Sequence, residues 1–163
     1  MFSDTLRTRA ENLLAQARAK GFKIATAESC TGGLIAGLLT EIPGSSDVVE
    51  RGFVTYSDKA KEEMLGVPSA LIRQHGAVSE QVARVMAEGA IRNSTAQLSV
   101  AVTGIAGPGG GTDEKPVGLV HIAVARAGEA TLHRECRFGD IGRSAIRLAS
   151  VAAALEMLER LLK

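Results

Sequence analysis

Three loops carry the side chains that could do chemistry, and the first of them spans residues 27–33. It runs from a predicted strand into a predicted helix, for which Ser29 and Thr31 are candidate caps. Free backbone N–H groups at a helix N-terminus suit an anion or an oxyanion, and Gly32 and Gly33 let a ligand approach the backbone closely. The same residues also fit a capped helix with glycines for tight packing, so this loop alone leaves both interpretations open.

The second loop, residues 56–61, holds Tyr56, Lys59 and Lys61. Lys59 fits best as a solvated side chain. Lys61 could act as a base only if it is held against the first loop. A lysine base must be neutral, and the reference lysine pKa of about 10.4 has to fall by several units through desolvation. Tyr56, at the end of a predicted strand, could shape that pocket or relay a proton.

The third loop, residues 103–118, is rich in glycine and proline. It resembles a phosphate-binding loop superficially. It lacks the Gly-Lys-Ser/Thr ending of a P-loop, and it leads toward a strand instead of a helix. The glycines alone are therefore a weak signal, and they also fit a flexible lid.

Two other kinds of site fit the sequence less well. A thiol nucleophile at Cys30 is conceivable, because a helix N-terminus lowers the pKa of a thiol, but no histidine lies nearby in the sequence to support it. The three histidines are scattered, with no His-x-x-x-His or Cys-x-x-Cys pair. We therefore expect no metal site.

Apolar periodicity, caps and glycine–proline breaks predict the elements that position these loops. Strands are predicted over residues 22–27, 48–56, 97–103, 118–126 and 130–138. Helices are predicted over residues 3–20, 31–41, 58–65, 68–75, 80–93 and 140–163. This alternation implies parallel strands with right-handed crossovers, and the final hairpin reverses one strand. We expect an α/β fold, a three-layer αβα sandwich on a mixed, mostly parallel sheet of about five strands, with ligands at the carboxyl ends of the parallel strands.

The composition fits one domain and argues against several classes of function. The chain has 163 residues, 45% of them hydrophobic, which is enough for an aliphatic core. Aromatic content is only 3% and the net charge is +1, so we expect neither a nucleic acid nor a membrane as partner. A signal peptide and a membrane span are not expected either. Two distant cysteines form no disulfide framework, which favours a reduced, cytoplasmic setting.

Several segments in a fixed order carry a family resemblance. They include Ala-Glu-Ser-Cys-Thr-Gly-Gly at 27–33, Gly-Phe-Val-Thr-Tyr at 52–56 and Thr-Gly-Ile-Ala-Gly-Pro at 103–108. The others are residues 43–46, Lys61, 65–67, 76–79 and 116–118. Together they resemble the CinA C-terminal domain family, whose stand-alone members include nicotinamide mononucleotide amidohydrolases of the PncC type. The resemblance covers nearly the whole chain, which we therefore expect to be a single domain over residues 1–163, without the additional domain of larger members.

The resemblance implies a reaction and a set of functional positions. Nicotinamide mononucleotide would be hydrolysed to nicotinate mononucleotide and ammonia, in pyridine-nucleotide salvage, by a serine nucleophile with a lysine base. No metal or organic cofactor is implied. The implied catalytic residues are Ser29, Lys61, Tyr56 and Ser46. The expected substrate-binding residues are Thr31, Gly32, Thr103, Gly104 and Arg143.

Strand geometry favours one serine over the other. Ser46 precedes the second predicted strand and Tyr56 ends it, so seven or eight extended residues at ~3.3 Å each separate them by roughly 20 Å or more. A regular strand would then place Ser46 at the opposite edge of the sheet from Lys61, whereas Ser29 shares the edge with Lys61. We expect Ser29 to be the nucleophile. Ser46 could contribute if the segment is bent or if a second subunit brings it over, and is otherwise a helix or turn cap.

Two points stay open at this stage. The same loops could hold a nucleotide phosphate without hydrolysing anything, in a regulatory or competence-associated module. The weak net charge argues against direct DNA binding by such a module. The small-residue face of the last helix permits close packing within a core or across a homodimer or higher homo-oligomer.

Overall fold

Five strands form a single mixed sheet, and six α-helices cover its two faces. The computed structural model describes residues 1–163. The strands are β1 (Ile24–Glu28), β2 (Val49–Val54), β3 (Leu98–Gly104), β4 (Leu119–Arg126) and β5 (Leu132–Arg137). The helices are α1 (Asp4–Ala19), α2 (Leu34–Glu41), α3 (Asp58–Leu65), α4 (Ser69–His75), α5 (Glu80–Arg92) and α6 (Arg143–Leu161). None of the helices combines the length and the apolar character needed to cross a lipid bilayer.

The order of strands across the sheet is β2-β1-β3-β4-β5. β1 pairs in parallel with both β2 and β3, whereas β4 runs antiparallel to β3, and β5 runs antiparallel to β4. Four strands therefore point the same way and only β4 is reversed, which confirms the predicted mixed, mostly parallel sheet. Because β1, β2 and β3 are adjacent and parallel, the loops that follow them open at one edge of the sheet.

Two apolar cores lie on opposite faces of the sheet. One packs α1, α2 and α6 against it, and the other packs α3, α4 and α5. β3 shows the alternation that produces both cores, since Leu98, Val100 and Val102 enter the first and Ala101 enters the second. All four side chains are completely buried. Burial of each of the three larger ones contributes about 1.5–3 kcal/mol.

Small residues bring α5 close to the sheet and to α3. A Cβ atom at Gly89 of α5 would lie 2.1 Å from the carbonyl oxygen of Leu65 in α3, so only glycine permits this approach. The sheet presents a row of buried alanines to this core: Ala25, Ala27, Ala101, Ala123 and Ala125. The packing fixes the position of α3, the helix that carries Lys61.

The start of α2 differs from the prediction. The helix predicted over residues 31–41 begins at Leu34, and Gly33 occupies the N-cap position with φ of 99° and no side-chain cap. The interpretation of Ser29 and Thr31 as caps is therefore wrong. The intervening residues form a separate turn, closed by a hydrogen bond of 2.9 Å from the Gly32 N–H to the Ser29 carbonyl oxygen.

A buried carboxylate takes the place of the expected caps. Glu28, the last residue of β1, is completely buried. Its carboxylate accepts hydrogen bonds from the N–H groups of Ile35 at 2.9 Å and Ala36 at 3.0 Å, and from the Thr31 hydroxyl at 2.7 Å. A negative charge at a helix N-terminus is favoured by the helix dipole. Glu28 thus ties the end of β1 to the start of α2 and holds the loop between them.

Candidate active site

A cleft of roughly 300 Å³ opens at the edge of the sheet where the parallel strands end. Residues from each of the three predicted loops line it, as expected from the rule that ligands bind at the carboxyl ends of parallel strands. The start of α6 closes one side of the cleft, and the segment that precedes α5 closes another. The side chains of greatest chemical interest in its lining are Ser29, Tyr56, Lys61, Thr103 and Arg143.

A serine and a lysine meet inside this cleft. The Nζ atom of Lys61 lies 3.0 Å from the Oγ atom of Ser29 and 2.8 Å from the carbonyl oxygen of Thr55. Lys61 is 1% exposed and Ser29 is 9% exposed. Backbone hydrogen bonds hold the two residues that Lys61 contacts. The Ser29 N–H donates to the Val102 carbonyl oxygen and the Thr55 N–H donates to the Glu28 carbonyl oxygen, each at 2.9 Å.

The environment of Lys61 favours its neutral form. Burial lowers the pKa of the Lys61 amine below its ordinary value of 10.5, and this effect outweighs the opposing pull of the Asp58 carboxylate and of Cys30. A neutral amine can donate one hydrogen to the Thr55 carbonyl and still accept the Ser29 proton with its lone pair. The arrangement therefore has the parts that an activated serine needs.

Cys30 also lines the cleft, but its sulfur is poorly suited to attack. The side chain is buried, and burial raises the pKa of the Cys30 thiol to about 11. Since the thiolate is the reactive form, only about one molecule in ten thousand would carry it at neutral pH. The local environment counts against the thiol nucleophile that the sequence left conceivable.

Arg143 joins two of the loops across the mouth of the cleft. Its Nη2 atom donates to the Tyr56 hydroxyl at 2.9 Å, and its Nη1 atom donates to the carbonyl oxygen of Gly107 at 2.8 Å. Tyr56 is 60% exposed, so the bridge lies at the rim of the cleft. The guanidinium still has further N–H donors with which it could contact a ligand.

Thr103 and Gly104 end β3 at the floor of the cleft. The Thr103 hydroxyl is buried and donates to the carbonyl oxygen of Ala77 at 2.9 Å, which ties β3 to the segment before α5. A Cβ atom at Gly104 would lie 2.7 Å from the Val120 side chain and 2.9 Å from the Leu119 carbonyl oxygen. Close packing against β4 therefore requires glycine at this position, and only backbone atoms of residue 104 line the cleft.

Three of the residues predicted from the sequence do not line the cleft. Thr31 is completely buried and its hydroxyl is bonded to Glu28. Gly32 is exposed on the turn beside it. Ser46 is exposed on the 3₁₀ turn Ser45–Asp47, at the opposite end of β2 from Tyr56. This placement agrees with the strand geometry used above.

Sequence reasoning missed two charged residues that hold the loop after Ser29. One is Glu28, whose contacts are described above. The other is Arg147 of α6, which donates to the carbonyl oxygens of Cys30 at 3.1 Å and Thr31 at 3.2 Å. A signal for Arg147 was present, because it lies four residues after Arg143 and so on the same helix face.

The fold and the cleft together define an α/β domain with a ligand-sized pocket at the carboxyl ends of its parallel strands. The chain belongs to the CinA C-terminal domain family, whose model matches residues 6–162. The family resemblance noted from the sequence is thereby confirmed.

Named relatives fall into two length classes. Nicotinamide-nucleotide amidohydrolase PncC of Escherichia coli K12 is 51% identical over 142 residues, which cover 86% of this chain and 85% of that protein. A CinA-like protein of Anaeromyxobacter dehalogenans is 50% identical over 152 residues, covering 93% of this chain but 36% of the relative. The chain thus spans about a third of the length of the longer relatives that it matches.

Solved structures share the whole fold. The competence/damage inducible protein CihA of Agrobacterium tumefaciens superposes with a TM-score of 0.98 at 55% identity, covering 100% of this chain and 99% of the other. A CinA superfamily protein of Escherichia coli superposes with a TM-score of 0.91 at 34% identity, covering 99% and 94%.

Proposed function

We propose that this chain hydrolyses the amide of nicotinamide mononucleotide to give nicotinate mononucleotide and ammonia, a step of pyridine-nucleotide salvage. The observation that carries the proposal is the distance of 3.0 Å between Lys61 Nζ and Ser29 Oγ inside the cleft. The activity named for the E. coli relative, at 51% identity over most of both chains, supports this choice of substrate.

In the first half of the reaction, Ser29 Oγ attacks the carboxamide carbon while neutral Lys61 takes the hydroxyl proton. The carbonyl oxygen becomes an oxyanion, which needs nearby N–H donors. When the tetrahedral intermediate collapses, the C–N bond breaks and the lysine returns the proton to the departing ammonia. An acyl ester on Ser29 remains.

In the second half, water attacks this ester. Lys61 now takes a proton from the water, the bond between the acyl carbon and Ser29 Oγ breaks, and the proton goes back to the serine. Lys61 thus serves as base and then as acid in each half, as in other serine–lysine hydrolases. No metal or organic cofactor enters these steps.

The substrate phosphate would meet donors at the rim and in the glycine loop. Arg143 would contribute a cation there, held in place by its bonds to Tyr56 and to the carbonyl oxygen of Gly107. Gly107, Gly109 and Gly110 line the cleft, and their N–H groups donate to no backbone acceptor within the chain. Backbone N–H groups and a forked guanidinium are suitable partners for phosphate oxygens.

Ser46 has no path to the substrate within one chain, since it is exposed at the far end of β2. It would take part only in a homo-oligomer in which a second copy carries it to this cleft. Otherwise it belongs to the turn before β2. Thr31 and Gly32 lie outside the cleft lining and would act by shaping the loop after Ser29 instead of contacting the substrate.

Ammonia release from nicotinamide mononucleotide by the purified chain tests the proposal. Ser29→Ala should lose at least about a hundredfold in kcat, because it removes the attacking atom. Ser46→Ala is the matched control and should keep most of the activity. Full activity in Ser29→Ala would refute the assignment of the nucleophile. Binding of the nucleotide by the wild-type chain with no ammonia release would favour the non-catalytic module instead.

A further inference from the structure

Asp58 is the only acidic residue in the lining of the cleft, where the other charged residues are Lys61 and Arg143. It is the first residue of α3 and it is exposed. Lys59, the next residue along the chain, pairs with Glu63 instead of with this carboxylate. The Asp58 carboxylate is thus free to meet a cation that enters the cleft.

Asp58 lies three residues before Lys61 on α3, so the two side chains share one face of the helix. Burial lowers the pKa of the Lys61 amine, and the Asp58 carboxylate opposes this effect. Asp58 therefore reduces the neutral fraction of the proposed base. Helix stability explains little of this placement, because the Ser57 hydroxyl already caps α3 at the Ala60 N–H and an exposed first-turn acid contributes only modestly. An acid at this position calls for another role.

The proposed substrate brings a cation into this part of the cleft. In nicotinamide mononucleotide the ring nitrogen is bonded to ribose, which makes the ring a pyridinium with a permanent positive charge. The carboxamide is attached to the same ring. Its attack by Ser29 therefore places the ring beside Lys61, whose amine lies 3.0 Å from the Ser29 hydroxyl. Of the residues that line the cleft, Asp58 alone offers such a ring a negative charge.

We propose that Asp58 is a specificity-determining residue, whose carboxylate pairs with the pyridinium ring and makes the cleft select cationic, N-ribosylated nicotinamides over uncharged rings. This inference rests on the proposed amide hydrolysis. Arg143 would hold the phosphate at the other end of the same nucleotide, so each charge of the substrate would meet the opposite charge in the cleft. The bound cation would also offset the effect of the Asp58 carboxylate on Lys61 and so favour the neutral amine once the substrate is in place.

A comparison of two ligands and two side chains isolates the charge. The ligands are nicotinamide mononucleotide and its reduced form, whose dihydropyridine ring keeps the carboxamide, the ribose and the phosphate but carries no charge. Both are titrated by calorimetry, in mildly alkaline buffer, into Ser29→Ala and into the same variant with Asp58→Asn added, so that no hydrolysis occurs. Asp58→Asn should weaken binding of the oxidised nucleotide about fivefold, the upper range for a solvent-exposed ion pair. It should leave binding of the reduced nucleotide unchanged, and the effect should shrink at high salt.

Two further variants separate charge from structure. Asp4→Asn is the matched control, because Asp4 also follows a capping serine at the first position of a helix, α1, but lies outside the cleft lining. It should change neither affinity. Asp58→Glu keeps the charge and should retain most of the preference for the oxidised nucleotide. Thermal unfolding is measured on each variant, and Asp58→Ser takes the place of Asp58→Asn if the latter does not fold. Failure of both to fold would make Asp58 a structural residue and overturn the proposal.

The outcomes distinguish this role of Asp58 from the proposed function. Equal weakening of both nucleotides by Asp58→Asn, or of neither, overturns the proposal, as does a loss of preference in Asp58→Glu as large as that in Asp58→Asn. Ammonia release from nicotinamide mononucleotide by the wild-type chain is measured in parallel. A charge-dependent preference without ammonia release would refute the hydrolysis alone. Ammonia release without such a preference would refute the role of Asp58 alone, and the absence of both ammonia release and binding would refute both.

Discussion

Replacement of Lys61 by arginine tests the proposed base most directly, because it removes the ability of the side chain to accept a proton. Arginine keeps the capacity to donate hydrogen bonds, but its guanidinium stays protonated and cannot accept a proton from Ser29. The amine that it replaces lies 3.0 Å from the Ser29 hydroxyl and is 1% exposed. A water molecule from solvent therefore has little access to this position and cannot readily act as the base in place of Lys61.

The size of the effect follows from the general-base contribution. Such a group typically accelerates a reaction by 10²–10⁴, which corresponds to about 3–5 kcal/mol in the activation free energy. Lys61→Arg should lose kcat by that factor. Lys59→Arg makes the same substitution two residues earlier, on a side chain that is 79% exposed and pairs with Glu63 at 3.5 Å. It should leave kcat and KM unchanged.

The assay is ammonia release from nicotinamide mononucleotide at saturating substrate, with thermal unfolding measured on each variant. The guanidinium is larger than the amine, and overpacking in this buried site can cost about 1–3 kcal/mol of stability. Lys61→Met, which has a similar length and no amine, is therefore assayed beside it. If either variant folds and retains wild-type kcat, Lys61 is not the base and the reasoning from distance and burial is refuted.

Three further outcomes follow from the same features. Since only the neutral amine can accept a proton, kcat/KM should rise with pH through the lowered pKa of Lys61 and level off below 10.5; a flat profile across neutral and alkaline pH would contradict a lysine base. Burial lowers the pKa of Lys61 in the folded protein below its unfolded value. At a pH below the folded pKa, the charged amine therefore lowers the free energy of unfolding, and this loss of stability disappears as pH rises toward 10.5. Urea unfolding should therefore show the stability of Lys61→Met relative to wild type declining across this window, and a constant difference would argue against the lowered pKa. Gly89→Ala should destabilise by about 1–3 kcal/mol, because its Cβ would lie 2.1 Å from a carbonyl oxygen of α3, whereas Gly37→Ala, with open space around it, should stabilise α2 by up to about 1 kcal/mol; similar values for the two would contradict this account of the packing.

The sequence was sufficient for the layout of the domain and for the meeting of the three loops. The mostly apolar segment 97–103 predicts a strand buried on both faces, and β3 is buried at six of its seven residues. Once β1, β2 and β3 are taken as parallel, the carboxyl-edge rule puts Ser29 and Lys61 on one side. The distance between them depends on how deeply α3 packs, which rests on Gly89 and on the alanine row and has no local signature.

The loop after Ser29 shows where local reasoning fails. Ser29 and Thr31 are good cap residues by type. The N–H groups at the start of α2 instead donate to the Glu28 carboxylate of the preceding strand. Glu28 lies in an apolar run, where sequence patterns give no reason to place an acid. Arg147 contacts this loop from more than a hundred residues away in the chain. Such contacts arise from tertiary packing, and periodicity cannot predict them.

The alanine row beneath α5 has a consequence for how the family can vary. The sheet face beneath α6 carries branched side chains of several sizes. On the face beneath α5, the alanine row places only methyl groups between the sheet and the helix. A valine introduced at position 101 or 123 would lift α5, and with it the segment whose Ala77 carbonyl is bonded to Thr103. The width of the cleft is then set by residues that never reach it. Sequence drift should therefore be freer beneath α6 than beneath α5, and substrate range could shift through a substitution in the core.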